Sequence, residues 1–286
     1  MSHESNTETD HEAQPSSAMS EEDQQAVSQK GGRSAKVMHE VIRLQGDEEL
    51  DRPIRSLLFS GFAAGLAINI SVIAEAVIQM RLPDAPWREL VTSLGYAVGF
   101  VIVIMGKMQL FTENTVTAVL PVMTHPTLRN LNRLLRLWLA VFFANMAGTC
   151  LVAFLMSRTI IVGSDELRSI LQISRTILEH GPGTTLLLAT PAGFLIAAIA
   201  WIIPNAKGSE FWVILLITYV ISIGGFSHVV AGSSEAWLLM FQGEISPWGA
   251  IAQFILPALV GNVIGGTGLF AFVAHGQVRD EIKPGS

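Results

Sequence analysis

The sequence is poor in cysteine and in charge. Cys150 is the single cysteine among 286 residues, so a disulfide within the chain is impossible. Only 15% of the residues are charged, whereas 50% are hydrophobic, and the mean hydropathy is +0.46. This balance is rare in a soluble domain of this size and is typical of a polytopic membrane protein.

Motifs of common enzymes are missing as well. The sequence has no HExxH, no GxSxG and no Walker-type glycine loop, and its apolar runs contain no pair of carboxylates at helical spacing. We therefore predict that the protein is not an enzyme. We also expect no cofactor, no metal site and no nucleic-acid partner.

The first 35 residues lack an apolar run and differ in composition from the rest. They are rich in Ser, Glu, Asp and Gln, and nothing in them has the pattern of a signal peptide. We predict a disordered acidic tail over residues 1–35, a transmembrane domain over 36–275 and a short cytoplasmic tail over 276–286. Residues 36–55 mix apolar and charged side chains, which indicates an interfacial helix.

Long apolar runs dominate the transmembrane domain. Two are too long for one straight crossing: the run at 90–123 has 34 residues and the run at 210–241 has 32, which would give helices of about 51 and 48 Å. Four others have the length of one membrane-crossing helix, at 56–79, 131–156, 184–203 and 249–274.

Polar residues and glycines interrupt both long runs near the middle, among them Lys107, Gln109 and Glu113 in the first and Ser227 and His228 in the second. Irregular backbone is tolerated at membrane depth only where protein or water satisfies it. We therefore predict six membrane spans, of which spans 2 and 5 are broken beside a path through the protein.

An Asn-x-x-Gly pattern follows each long run. Asn145 lies 34 residues after Phe111, and Asn262 lies 36 residues after Phe226. The matched order and hydropathy indicate two homologous halves of three spans each, at about 56–156 and 184–274. Because each half has an odd number of spans, the second must be inverted, as in transporters whose sites lie at the membrane midplane.

Positive charge predicts the orientation. With six spans, twelve Lys and Arg residues fall on one side of the membrane and five on the other. Cytoplasmic loops carry the excess, so both termini should be cytoplasmic. On the opposite side, the segment between Arg158 and Gly181 has apolar residues at helical spacing, which predicts a short amphipathic helix on the outer surface.

Three stretches, LFTENT at 110–115, GFSHVVAG at 225–232 and ALVGNVIGGT at 258–267, resemble the formate/nitrite transporter family, in particular its YfdC-like branch. The resemblance extends over 36–275. It implies an aquaporin-like inverted 3+3 repeat, although the Asn-Pro-Ala motif of true aquaporins is absent. It further implies a homopentamer in the bacterial inner membrane, with one pore per protomer for formate, nitrite or a similar weak-acid anion.

Matched residue by residue, the resemblance implies a pore. His228 matches the family's central pore histidine, and Thr112 matches the loop threonine that faces it. A neutral imidazole can hydrogen-bond a permeant acid and exchange a proton with it. Other matches concern the apolar walls of the pore and the packing of the last span: Leu110, Phe111, Tyr96, Phe100, Ile221 and Asn262.

Several positions depart from the family pattern. Ser227 replaces a glutamate, and Ile177 replaces a vestibule lysine that attracts anions, although Arg175 is close in sequence. Gly193 and Gly232 each replace an asparagine. Two transport functions therefore stay open: a channel for a weak-acid anion or its neutral acid, and a pore for a small neutral solute, widened by the glycines. The third alternative is a non-conducting structural or regulatory membrane protein, closed by the bulky Tyr96 and Phe100.

Lys107 has two interpretations. It either lines the pore and attracts anions, or forms a structural pair with Glu113. We expect Glu113 to be structural, accepting backbone N–H groups where the second half of the broken helix begins. For Asn145 and Asn262 we expect structural roles, and the apolar surface should contact membrane lipids.

Overall fold

The structure is a computed structural model that describes residues 35–282. Its regular elements over that range are helical, which confirms the all-α prediction. The predicted tail at 1–35, apart from its last residue, and the final four residues of the tail at 276–286 lie outside the described residues. The helices of the first half are α1 (Ala35–Asp51), α2 (Ile54–Ile68), α3 (Ile70–Gln79), α4 (Arg88–Thr92), α5 (Tyr96–Met105), α6 (Val119–Thr124) and α7 (Leu128–Ser157).

The second half begins with α8 (Ser164–Ser174), the amphipathic segment, and π-helical turns at Ala250–Ile255 and Ile264–Ala271 divide its last helical stretch. The other helices are α9 (Pro182–Ile202), α10 (Glu210–Ile223), α11 (Val229–Phe241), α12 (Pro247–Gly249), α13 (Leu256–Val263) and α14 (Phe272–Ile282).

Five helical segments in the described part of the chain are long and apolar enough to cross a membrane: Ile54–Gln79, Arg88–Met105, Leu128–Ser157, Pro182–Asn205 and Pro247–Arg279. Helices α10 and α11 are apolar but shorter. The two long runs of the sequence are interrupted between α5 and α6 and between α10 and α11. That each run crosses the membrane as one broken span, for six spans in all, stays a prediction.

Asn145 on α7 holds three segments of the first half together. Its Oδ1 accepts the N–H of Phe111 at 2.9 Å, and its Nδ2 donates to the carbonyls of Gln109 and Gly61 at 2.9 and 2.7 Å. The side chain is fully buried. The side chain therefore forms hydrogen bonds with backbone groups of the loop that have no hydrogen-bond partner within a helix.

Asn262 on α13 makes the corresponding bonds in the second half. Its Oδ1 accepts the N–H of Val229 at 2.8 Å, and its Nδ2 donates to the carbonyls of Ser227 and Ala189 at 3.0 and 2.8 Å. The two asparagines thus relate the halves of the fold, but they align Phe111 with Val229 and not with Phe226. The alignment based on sequence spacing was wrong by three residues, because both N–H groups lie six residues after the preceding helix ends.

The same alignment pairs Lys107 with Gly225. Both occupy the left-handed region, with φ of 54° and 61°, in the turns that end α5 and α10. This conformation suits glycine, whereas it is unfavourable for a lysine by about 1–2 kcal/mol. Lys107 therefore occupies, at the position equivalent to Gly225, a turn whose positive φ is unfavourable for a lysine.

Two glycines allow the asparagine helices to approach their partners. A Cβ at Gly65 would lie 2.3 Å from the carbonyl oxygen of Asn145, and one at Gly193 would lie 2.2 Å from that of Asn262. Likewise, a Cβ at Gly232 would lie 2.2 Å from the Phe254 ring. The expectation that Gly193 and Gly232 widen a path is therefore wrong, since neighbouring atoms already fill both spaces.

Helix α1 covers most of the segment predicted to be interfacial. Met38, Ile42 and Leu50 are buried and belong to the main hydrophobic core. His39 is also buried, and its Nε2 lies 3.0 Å from Nδ1 of His275 on α14. Protein therefore covers part of the apolar face that the sequence assigned to the membrane interface.

Candidate functional site

His228 is held at the start of α11. Its backbone is extended, with φ −103° and ψ 121°, and its Nδ1 accepts the N–H of Ala231 at 3.1 Å as the cap of the helix. The side chain is 2% exposed. Because Nδ1 acts as an acceptor, the neutral ring carries its proton on Nε2.

Thr112 meets the other side of this ring. Its Oγ1 lies 2.7 Å from Nε2 of His228, across 116 residues of sequence. Since Nε2 is the donor, the Thr112 oxygen accepts, and its own O–H is left to donate to a solute. The hydroxyl of Thr115 donates to the Thr112 carbonyl at 2.6 Å and fixes the loop.

Two aromatic rings stack outward from the His228 side of the Thr112–His228 pair. The Phe100 ring lies edge-on to His228 with centroids 5.0 Å apart, and Tyr96 lies 5.0 Å from Phe100. Phe111 packs against Trp138 instead. The predicted apolar residues Leu110 and Ile221 are fully buried, as is Phe100. A solute that passes this point must therefore leave most of its water behind.

A cavity of about 590 Å³ ends at His228. Its lining includes the exposed residues Asp84, Pro86 and His180, which mark its mouth, and the buried residues Tyr96 and His228. We call it the acidic cavity, because Glu75, Asp84, Glu89 and Glu235 line it while Arg88 is the one Arg or Lys among its described lining residues.

The structure does not bring every predicted site residue to the acidic cavity. Tyr96, Ser227 and His228 line it, and Thr112 reaches it through His228. The described lining does not include Lys107, Leu110, Phe111, Phe100 or Ile221.

Lys107 and Glu113 do not form the predicted ion pair. No contact within 4 Å joins them, although their charges interact at longer range, and Lys107 is exposed. The Glu113 carboxylate accepts no hydrogen bond from the described residues, so the predicted contact with backbone N–H groups is not formed. The neighbouring Gln109 instead donates to Glu49 at 2.8 Å and accepts from Asn114 at 2.9 Å.

Arg175 does not take over the role of the missing vestibule lysine. Its guanidinium binds Glu244 through bonds of 2.9 and 2.8 Å at the surface, outside the described lining of the cavity. The bond from Arg175 lowers the pKa of the Glu244 carboxyl. Ile177, at the position of the lysine, lines the cavity as an apolar residue.

The sequence analysis missed two carboxyl groups that line the cavity. Glu75 on α3 and Glu235 on α11 both lie within apolar runs, and an ionisable residue in such a run is itself a signal of function. Residues 35–282 contain no group of three or more His, Cys, Asp or Glu that could hold a metal ion.

Several known proteins are similar to this chain in sequence or in fold. A sequence model of the formate/nitrite transporter family matches residues 36–276. The inner membrane protein YfdC of Escherichia coli is 39% identical over 87% of this chain and 80% of its own length. The formate channel BtFdhC of Bacillus thuringiensis is 26% identical over 82% and 91%. A solved pentameric formate channel with formate bound has a TM-score of 0.66 at 20% identity, covering 80% of this chain and 98% of that one.

Proposed function

Because the chain belongs to the formate/nitrite transporter family, we propose that it carries a small monovalent weak-acid anion such as formate or nitrite, or its neutral acid, across the membrane. The observation that carries the proposal is the hydrogen bond between Thr112 and His228 at the end of the acidic cavity.

The pair acts on the solute by hydrogen bonding. The Thr112 hydroxyl accepts from His228, which leaves its proton for an oxygen of the solute. The rings of Phe100 and Tyr96 exclude water around it, and a bare anion is costly to move into such a place. A solute that is neutral, or that accepts a hydrogen bond as it enters, is therefore favoured.

The role of His228 in proton exchange is limited by its cap. A second proton could bind only at Nδ1, which the N–H of Ala231 occupies, so protonation would break the start of α11. We therefore assign His228 the part of a fixed hydrogen-bond donor.

The assembly and location follow from the relatives. We infer a homopentamer because one structural neighbour is a pentameric formate channel. We infer the bacterial inner membrane because a close relative is an inner membrane protein, with both termini cytoplasmic by the distribution of Lys and Arg. Large exposed side chains such as Phe59, Phe143 and Leu187 then face lipid or a neighbouring protomer.

The test is stopped-flow uptake of formate, nitrite, acetate, hydrosulfide and glycerol into proteoliposomes. We expect saturable uptake of formate or nitrite by the natural protein. Thr112→Val, which removes the hydroxyl and keeps the shape, should lower that uptake at least tenfold, whereas Thr112→Ser should keep it. Uptake of glycerol alone would favour a neutral-solute pore. No uptake by a folded oligomer would favour a non-conducting scaffold.

A further inference from the structure

Two carboxyl groups, those of the buried Glu75 and the half-buried Glu235, line the acidic cavity together with His228. Glu75 is 6% exposed, and its Oε1 accepts a hydrogen bond from Ser222 at 3.0 Å. Glu235 lines the same cavity, and the two carboxyl groups are close enough for their charges to interact. Tyr96 interacts electrostatically with both. The helices bring together two acids that are 160 positions apart in the sequence.

The surroundings of the pair do not neutralise two negative charges. Arg88 is the one Arg or Lys among the described lining residues, and its guanidinium lies 3.4 Å from the Asp84 carboxylate. The titratable groups that face the pair from the packed helices and loops are Tyr96, Arg88, Asp84, Glu89, His180 and His228. Two ionised carboxylates at this depth repel each other, and an anion entering the cavity would add a third negative charge. One bound proton leaves a single negative charge on the pair, which removes the repulsion within the pair and lessens the repulsion of an entering anion.

A proton fits this place better than a metal ion. Residues 35–282 offer no cluster of three or more metal-binding side chains, here or elsewhere. A second polar group also lacks a partner: Thr92 lines the cavity and is 6% exposed, and its hydroxyl has no hydrogen-bond partner in the described chain. That hydroxyl can bond to a solute or water beside the carboxyl pair.

We propose that Glu75 and Glu235 form a proton-binding site that supplies one proton to each weak-acid anion on its way to His228. The O–H bond of one carboxyl breaks as the O–H bond of the neutral acid forms, and no electrons are transferred. The carboxylate left behind takes its next proton from water on the open side of the cavity. This inference rests on the proposed function, and it gives the cavity the proton donor that the capped His228 does not provide.

The first experiment measures formate uptake into proteoliposomes at several values between about pH 5.5 and 7.5, with the leak of protein-free vesicles subtracted. If each formate anion takes up one proton, uptake by the natural protein should rise by up to about tenfold for each unit by which the pH falls. Glu75→Gln, which keeps a partner for Ser222, and Glu235→Gln should each remove most of this rise. Glu48→Gln removes the same charge from an exposed site on α1, outside the described lining of the cavity, and should leave the profile unchanged.

The outcomes separate the two proposals. If the natural protein transports formate and both glutamine variants keep its pH profile within twofold, the proton site is overturned and the proposed function stands. If uptake at fixed pH follows the concentration of Na⁺ or K⁺, the site binds a metal cation and not a proton. If the natural protein transports no weak acid, both proposals fail.

A second measurement does not depend on transport. Infrared difference spectra of the purified protein near neutral pH should show a protonated carboxyl band. The band should vanish in Glu75→Gln or in Glu235→Gln and persist in Glu48→Gln. Its presence in all three variants would overturn the site even if their uptake were altered.

Discussion

Asn145→Ala and Asn262→Ala should destabilise the protein by similar amounts, because the two side chains make matched sets of three hydrogen bonds, all buried except the part-buried bond to Ser227. Such bonds average about 0.6 kcal/mol each in a membrane protein, which gives about 2 kcal/mol for three. The N–H of Phe111 or Val229, left buried without a partner, adds about 1–3 kcal/mol. We expect each variant to lose roughly 3–5 kcal/mol.

The assay is unfolding of the purified protein by SDS in mixed micelles, with the free energy of unfolding taken from the loss of helical circular dichroism. Asn130→Ala, at the less buried start of α7, is the matched control and should lose less than about 1 kcal/mol. Losses below about 1 kcal/mol in both test variants would refute the reasoning from unsatisfied backbone. A difference of more than about 2 kcal/mol between them would refute the equivalence of the two halves.

Three further predictions concern pH, packing and backbone strain. Burial, and secondly the charge of a neighbouring histidine, lower the pKa of His39 from 6.5 to about 4. The unfolded chain then takes up the proton first, so thermal stability should be full above pH 6.5 and fall between 6.5 and about 4. His39→Leu should flatten this dependence of thermal stability on pH, and an unchanged dependence would show that His39 does not cause it. Gly193→Asn should abolish folded protein in size-exclusion chromatography, because its Cβ would meet the Asn262 backbone at 2.2 Å, whereas Gly181→Asn enters open space and should be tolerated. Lys107→Gly should raise the free energy of unfolding by about 1 kcal/mol in the SDS assay by relieving a positive φ, and a decrease would show that the lysine side chain is itself stabilising.

The sequence identified the features that repeat or that stand out from an apolar background. Asn145 and Asn262 could be paired because each carries the same local pattern, and hydropathy alone was enough to predict an all-helical membrane protein. The alignment of the two interrupted runs was wrong because it relied on the similar pairs Phe-Thr and Phe-Ser. The hydrogen bonds of the two asparagines instead align Phe111 with Val229.

Contacts between distant segments were beyond the sequence. Nothing local indicates that Glu75 and Glu235 share a cavity, since their meeting depends on how α3 packs beside α11. Gly193 was misread for a related reason: a missing side chain implies open space only if no neighbour occupies it, and here the neighbour is the backbone of Asn262.

Under the proposed function, the cap at the start of α11 separates the chemistry of the pore from the stability of the fold. His228 satisfies the helix through Nδ1 and faces Thr112 through Nε2, so only one of its two nitrogens is committed to the scaffold. Asn, Ser and Asp are good caps of helix N-termini and could take over the bond to Ala231. Such a replacement would change what the pore offers a solute while the helix still begins at the same residue. If the proposed function holds, one substitution at this position could therefore alter the solute while the fold stays the same.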